Sequence, residues 1–419
     1  MELRDSLNGL PLELLEAIAG HLDFHDACNL RLTNSSIAAK IARAKTFSLD
    51  KIIRIDSSRD MRRLVEMTDH GRIGNALRYL TITGKVTKNH QETVRRATIG
   101  ETTIALLGQA FSNLQRHSFH GKLESLALTV DAPVPASRMA PNLGIPDWKD
   151  VWLMAASVFR AAMEALHASQ LPLRGLKVFG NTKRCSLAMD QLASASDLDL
   201  RRSLERLEDL SLNLSNHVLD SDDDDEVYGL EHSEQTLRGL CHFMQLAPNV
   251  RHLKLRWFVN QAGRIPAPLT NEERFFERLL QSIDFASVRH CNLTGVCLRP
   301  AELVSFLNKL KLESIFLQGI NLDPGGFERV FQQISSNKGL KYLRLENLTE
   351  RRLVCFDVPG VPAYVSSEPN GPSILIRENE EICSPIKYYL RRGHVLGSIR
   401  YNNWKTKQDH MLGPPDFRD

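Results

Sequence analysis

The chain has 419 residues, with 53 Lys and Arg against 50 Asp and Glu and a formal charge of +3, too even a balance to mark nucleic acid as an overall partner. A hydrophobic content of 42% with 25% charged residues excludes a disordered or membrane-dominated chain and is that of an ordinary globular protein. Seven cysteines, an odd number, do not read as a disulfide framework and fit a reducing compartment, cytoplasmic or nuclear. No stretch reaches the apolar length of a transmembrane helix, and Glu2 and Asp5 stand where a secretory signal would carry basic residues.

The first predicted element is LNGLPLELLEAIAGHL, residues 7–22. Leu7, Leu10, Leu14, Ile18 and Leu22 recur at steps of three or four, which places them in one stripe of an α-helix. Pro11 suits the first helical position, and Glu13 complements the positive end of the helix dipole. Asp23 and His25 break the pattern. Ala27, Cys28, Leu30 and Leu32 form a second short apolar stretch, and Asn34 is a candidate N-cap for a third, Ala-rich helix carrying Ile37 and Ile41. Three short helices in about 45 residues make a core too small to fold robustly alone. The outer stripe therefore needs a cover, either the rest of the chain or another protein.

Leu10-Pro11, Glu13, Leu14, Leu15, Ile18, Leu22-Asp23, the run NLRLTNSSIAAKIA and Phe47 together resemble an F-box of the fungal kind, over residues 5–47. The sequence departs from that pattern at Ala27, where Leu is common, and at Asn34-Ser35-Ser36, in place of the usual Cys-Lys/Arg-aromatic stretch. The resemblance implies docking onto the Skp-type adaptor of an SCF-type (Skp–cullin–F-box) ubiquitin ligase of the cullin–RING class. It also implies that Leu10, Pro11, Leu14, Ile18 and Leu30 lie at or near the docking surface. The other reading is a helical hairpin that caps the domain after it.

Beyond residue 47 one pattern returns, Leu/Val-x-x-Leu-x-Leu. It appears as LRYLTIT (77–83), LESLALT (123–129), LRGLKVF (173–179), LEDLSLN (207–213), VRHLKLR (250–256), VRHCNLT (288–294), LESIFLQ (312–318) and LKYLRLE (340–346), with KIIRIDS (51–57) as a degenerate first copy. The fourth and sixth positions are apolar, as a strand buried on one face requires. Amphipathic helical stretches lie between the copies, among them TIALLGQAFSNL, VWLMAASVFRAAMEALHA, EQTLRGLCHFM, ERFFERLLQSI, PAELVSFLNKL and GFERVFQQISS. Alternating strand and helix at this repeat predicts an α/β fold, a leucine-rich-repeat-like solenoid with parallel strands concave and helices convex. Copies start 24 to 50 residues apart, so most carry insertions; an α/β sandwich is the alternative. The expected division is an F-box-like helical domain (1–47), an irregular solenoid (48–358) and a C-terminal capping region with a basic segment (359–419). Loops are expected over 131–147, 215–229 and 359–373.

Few residues here carry chemistry. Asp222–Glu226 is an acidic run without the alternation of a Ca²⁺ loop, and reads as a solvated loop. His290, Cys291 and Cys297 lack a partner pair at zinc-like spacing, and Cys291 takes the place of a repeat Leu, so core packing is expected. No phosphate loop, nucleophile elbow, kinase or zincin signature is present. No catalytic residue, cofactor or metal is expected.

From Ser384 to Gln408 there is no acidic residue, while Lys387, Arg391, Arg392, Arg400, Lys405 and Lys407 are interleaved with Tyr388, Tyr389, Tyr401 and Trp404. Three readings stay open. The segment caps the last repeat with its charges in water; it recruits an acidic or phosphorylated protein, with Arg391, Arg392, Lys405 and Lys407 as the partner-binding candidates; or it stacks on nucleic acid. The functional expectation is a non-enzymatic substrate-recognition subunit of the ligase. An adaptor-bound scaffold without ubiquitylation and an enzyme hidden in the α/β body are the alternatives.

Overall fold

Period-two apolar sequence makes strands, and here it makes them in series. The computed structural model describes residues 7–22, 24–43, 49–69, 77–87, 89–118, 121–132, 148–180, 185–215, 230–258, 279, 285–296, 298–322, 325–350, 352–357 and 373–390. The predicted helix ERFFERLLQSI (apart from Leu279), Cys297, all or nearly all of the three predicted loops, and the basic segment beyond Leu390 lie outside these residues.

The chain begins with α1 (Leu12–Gly20), α2 (Phe24–Thr33) and α3 (Ser35–Arg43), preceded by a single 3₁₀ turn over Leu7–Gly9. Asn34 caps α3 as its residue type predicts: its side-chain oxygen accepts from the Ser36 amide at 2.7 Å. Pro11 sits one place earlier than expected. Its carbonyl accepts the Leu15 amide at 3.2 Å, so Pro11 is the residue before the helix rather than its first member.

The body is mixed α/β with a mostly parallel central sheet. Its strands are β1 (Leu49–Arg54), β2 (Leu77–Lys85), β3 (Ser125–Asp131), β4 (Gly175–Val178), β5 (Leu187–Ala188), β6 (Asp209–Ser215), β7 (His252–Phe258), β8 (His290–Thr294), β9 (Ser314–Gln318) and β10 (Tyr342–Glu346). Apart from the two-residue β5, which pairs only with β6, these lie side by side in chain order and all pair in parallel. The eight clear copies of the sequence pattern are β2 to β4 and β6 to β10. Their fourth positions are in register across the sheet: Leu80, Leu126, Leu176, Leu210, Leu253, Cys291, Ile315 and Leu343. The sixth positions form the next row, from Ile82 to Leu345, and both rows are buried.

The degenerate first copy is shifted. Lys51 pairs with Leu80 and Ile53 with Ile82, so Lys51 holds the fourth position of the pattern and not the first. Ile53 and Ile55 point into the core while Ile52 is 66% exposed, and that alternation fixes the register.

Helices cover the face bearing these two rows: α4 (Ser58–Thr68), α5 (His90–Ala97), α6 (Glu101–His117), α7 (Trp148–Ser169), the short α8 (Met189–Ser194) and α9 (Arg201–Leu204), α10 (Leu230–Gln245), α11 (Pro300–Lys309) and α12 (Glu328–Ser336). Each packs chiefly on its neighbours, α4 on α6, α6 on α7, α8 on α10 and α11 on α12. One core runs from Ile53 to Ile382. Leu15 and Ile37 are buried but lie outside it, in a small core shared by the N-terminal helices. The strands end in left-handed turns at equivalent places. Gly295, Gly319 and Asn347 follow β8, β9 and β10 with φ of +74°, +60° and +52°. The amides of Gly295 and Gly319 continue the lateral ladder, each donating at 2.8 Å to the last carbonyl of the next strand.

The chain then reverses. After β11 (Thr349–Glu350) and β12 (Arg352–Phe356), β13 (Ile374–Glu378) returns antiparallel against β10, and β14 (Tyr388–Leu390) pairs with β12. Glu350, buried between them, accepts the Phe327 amide at the start of α12 and the Tyr388 hydroxyl at 3.3 Å. Among the described residues no helix is long and apolar enough to cross a membrane.

Candidate functional site

The N-terminal helices divide their apolar residues between two environments. Among the described side chains of these helices, Leu15 on α1 and Ile37 on α3 are buried. Leu14 and Ile18, four apart on another face of α1, are 52% and 36% exposed, Leu7 before them is 45% exposed, and Leu32 on α2 is 84% exposed. Pro11 is exposed, and Leu10 and Leu30 are half-buried. Leu10 is held by its backbone: the Lys40 ammonium of α3 donates to its carbonyl at 2.9 Å. Of the five expected docking residues, then, Pro11, Leu14 and Ile18 are open and Leu10 and Leu30 partly so. Single exposed leucines are common on proteins; here several fall on one short unit with a minimal core of its own.

The second surface is the sheet face opposite the helices. Its residues alternate with the buried rows, so strand geometry alone sets them out in ranks. The middle rank reads Ile52, Thr81, Ala127, Lys177, Ser211, Lys254, Asn292, Phe316, Arg344 and Ile376 across the strands in pairing order. Below it Asp209, His252 and His290 adjoin. Asp209 Oδ1 lies 2.7 Å from His252 Nδ1, and the two imidazoles stack at 4.4 Å. Burial, and then the His252 charge, hold His290 below the ordinary imidazole pKa. At the β10 end, the Arg344 guanidinium lies 4.9 Å from the Phe316 ring centre and is bonded to Glu346 at 2.7 Å.

A charge ladder that the sequence did not announce runs along the strand entries. The second repeat positions are Arg78, Glu124, Arg174, Glu208, Arg251, Arg289, Glu313 and Lys341. Arg174 bridges Glu124 and Glu208, each at 3.1 Å, and Lys341 reaches Glu313 at 2.7 Å. Burial raises the Glu124 carboxyl, but Arg174 and Lys122 outweigh it and hold the group below the usual range. A groove of about 720 Å³ opens among Arg174, Glu208, Arg251, Arg289 and Glu313. Opposite charges on neighbouring strands favour the observed register, although such exposed pairs contribute only about 0–1 kcal/mol each. The signal was legible in principle, as a charged residue at the second position of every clear copy.

Cys291 is fully buried in its row, and burial pushes its thiol up to about 12, which makes it packing and not a nucleophile or ligand. Among the described residues no three His, Cys, Asp or Glu side chains are grouped to hold a metal ion. Asp222–Glu226, Arg391, Arg392, Lys405 and Lys407 lie outside the described residues. No known family model matches the chain, and no curated protein matches it.

Proposed function

We propose that this chain is a non-catalytic substrate-recognition subunit of an SCF-type ubiquitin ligase. In this reading residues 1–47 are an F-box-like unit that docks a Skp-type adaptor, residues 48–358 are an irregular leucine-rich-repeat-like solenoid that holds a target protein, and 359–419 cap its end. The observation that carries it is the exposed apolar face of α1, with Leu14 and Ile18 open while Leu15 serves the internal core. A unit this small gains by burying that face against a partner, at roughly 1.5–3 kcal/mol for each large apolar side chain fully covered.

The parallel strands in chain order support the second half. Successive strand–helix units build such a ladder when each buries its apolar side only on its neighbours. The sheet face left over is long, polar and interrupted by exposed Ile52, Tyr79 and Ile376, a composition suited to holding a polypeptide. Function would then be proximity: a target lysine brought to high effective concentration beside chemistry performed by other subunits. The experiment is affinity purification of the tagged full-length chain from its own cells. Recovery of a Skp-type adaptor and a cullin supports the reading, and targets that accumulate when the chain is deleted separate a ligase receptor from a scaffold. Absence of the adaptor refutes both.

A further inference from the structure

The rank of side chains at the centre of the open sheet face carries positive charge with no counter-charge among the described residues. Lys177 on β4, Ser211 on β6 and Lys254 on β7 are direct register neighbours, and Asn213 and Arg256 adjoin one step along the same strands. Strand spacing puts the Cα atoms of Lys177 and Lys254 about 9.5 Å apart, with Ser211 midway. Two flexible ammonium stems at that separation can close on one small group between them.

Two independent features point to a missing partner here. Ser211 Oγ, Asn213 Oδ1 and Arg256 Nε are all buried, and none has a hydrogen-bond partner among the described residues. Buried polar atoms left unpaired are costly, and in a native protein each calls for a ligand, an ion or water. Among the described residues, no carboxylate pairs with Lys177, Lys254 or Arg256. Burial, followed by the charges of Arg256 and Lys177, pushes the Lys254 ammonium below its ordinary value, and burial lowers Arg256 likewise. Elsewhere on this protein cations at comparable places are matched: Arg174 by Glu124 and Glu208, Arg344 by Glu346. The contrast makes the shortage of negative charge local and specific.

We propose that Lys177, Ser211, Lys254 and Arg256 form a binding site for a phosphate dianion. A carboxylate offers two oxygens and one charge. A phosphate group offers three or four oxygens and close to two charges, enough to meet two ammonium groups, the guanidinium N–H and the Ser211 hydroxyl together. The site is separate from the adaptor-facing helix and does not depend on it.

The test titrates the full-length chain with sodium phosphate at constant ionic strength, followed by calorimetry and thermal unfolding, beside Lys177→Gln, Lys254→Gln and Arg256→Gln. Lys177 is exposed, so its variant folds whatever the others do. Saturable binding that weakens about tenfold or more for each lost cation supports the site. Lys254→Gln should not lower the phosphate-free melting temperature, since it removes like-charge repulsion. A second arm compares phosphoserine peptides with their unphosphorylated twins. Tighter binding of the phosphopeptide than of inorganic phosphate identifies a modified polypeptide as the source, and equal binding identifies a free phosphate compound. A non-saturating rise in stability, identical in all variants, is general salting-out and overturns the proposal. Adaptor recovery by the Lys254→Gln chain is measured in parallel, so loss of the phosphate site and loss of adaptor docking are told apart.

Discussion

Gly295 and Gly319 occupy the same place in consecutive repeats, and replacing each with Ala should give unequal costs. Both have positive φ, +74° and +60°, where an L side chain is disfavoured by roughly 1–2 kcal/mol. At Gly319 a new Cβ meets nothing closer than 3.8 Å, so that backbone cost is the whole effect. At Gly295 the Cβ would run into the Trp257 carbonyl oxygen, a backbone atom of β7 that no rotamer change can move. Relief requires β7 and β8 to part at their ends and give up one or two lateral hydrogen bonds, about 0.5–1.5 kcal/mol each. The expected totals are about 1–2 kcal/mol for Gly319→Ala and about 2–4 kcal/mol for Gly295→Ala. Urea unfolding of both variants gives the two numbers, and hydrogen exchange localises the second to the amides of β7 and β8. Equal costs, or a larger cost at Gly319, would refute the turn geometry and with it the registered ladder.

Three further outcomes follow from the same structure. Leu210→Ala and Leu343→Ala, each at the fourth position of a buried strand, should cost about 2–5 kcal/mol in chemical denaturation. His290 has its pKa lowered in the fold by burial and then by His252, so its protonation opposes folding. Stability is therefore complete above the ordinary value of 6.5 and falls as pH drops below it, and His290→Gln should flatten that acid limb in melting curves. Burial raises the Glu350 carboxyl, so its ionisation costs stability as pH rises through the folded value. Glu350→Gln, which keeps an acceptor for the Phe327 amide, should leave the melting temperature at pH 7 unchanged or raised, whereas Glu350→Ala should lower stability by about 1–3 kcal/mol.

What could be read from the sequence was whatever had a period. The eight clear strand copies fall on eight parallel strands because two apolar positions per copy must face one core, and the same logic locates α6, α7, α10, α11 and α12. Asn34 was readable as a cap because its side chain has a local partner. The first copy slipped by three residues because Lys51 holds the place of a Leu, and only pairing with β2 reveals it. The return of β13 against β10 and the small sheet around Glu350 depend on contacts between distant segments, which periodicity does not encode. The unpaired group at Ser211 and Arg256 was invisible for the same reason: it exists only when β6 and β7 lie side by side. On α1 the split between inward Leu15 and outward Leu14 was legible from helix geometry, while the degree of exposure was not.

The proposed adaptor docking is tested most directly by titrating a purified Skp-type adaptor against the full-length chain and against its Pro11→Ala, Leu14→Glu variant. Leu14 is half exposed and outside both cores, so the variant should keep the melting temperature of the body. Against an apolar partner, however, its carboxylate would be buried and unpaired, at a cost of several kcal/mol, or about a hundredfold or more in affinity. The unmodified chain should bind saturably, and the variant should lose that binding with its folding intact. An unmodified chain that does not bind the adaptor, or a variant that binds it as tightly, would contradict docking through α1.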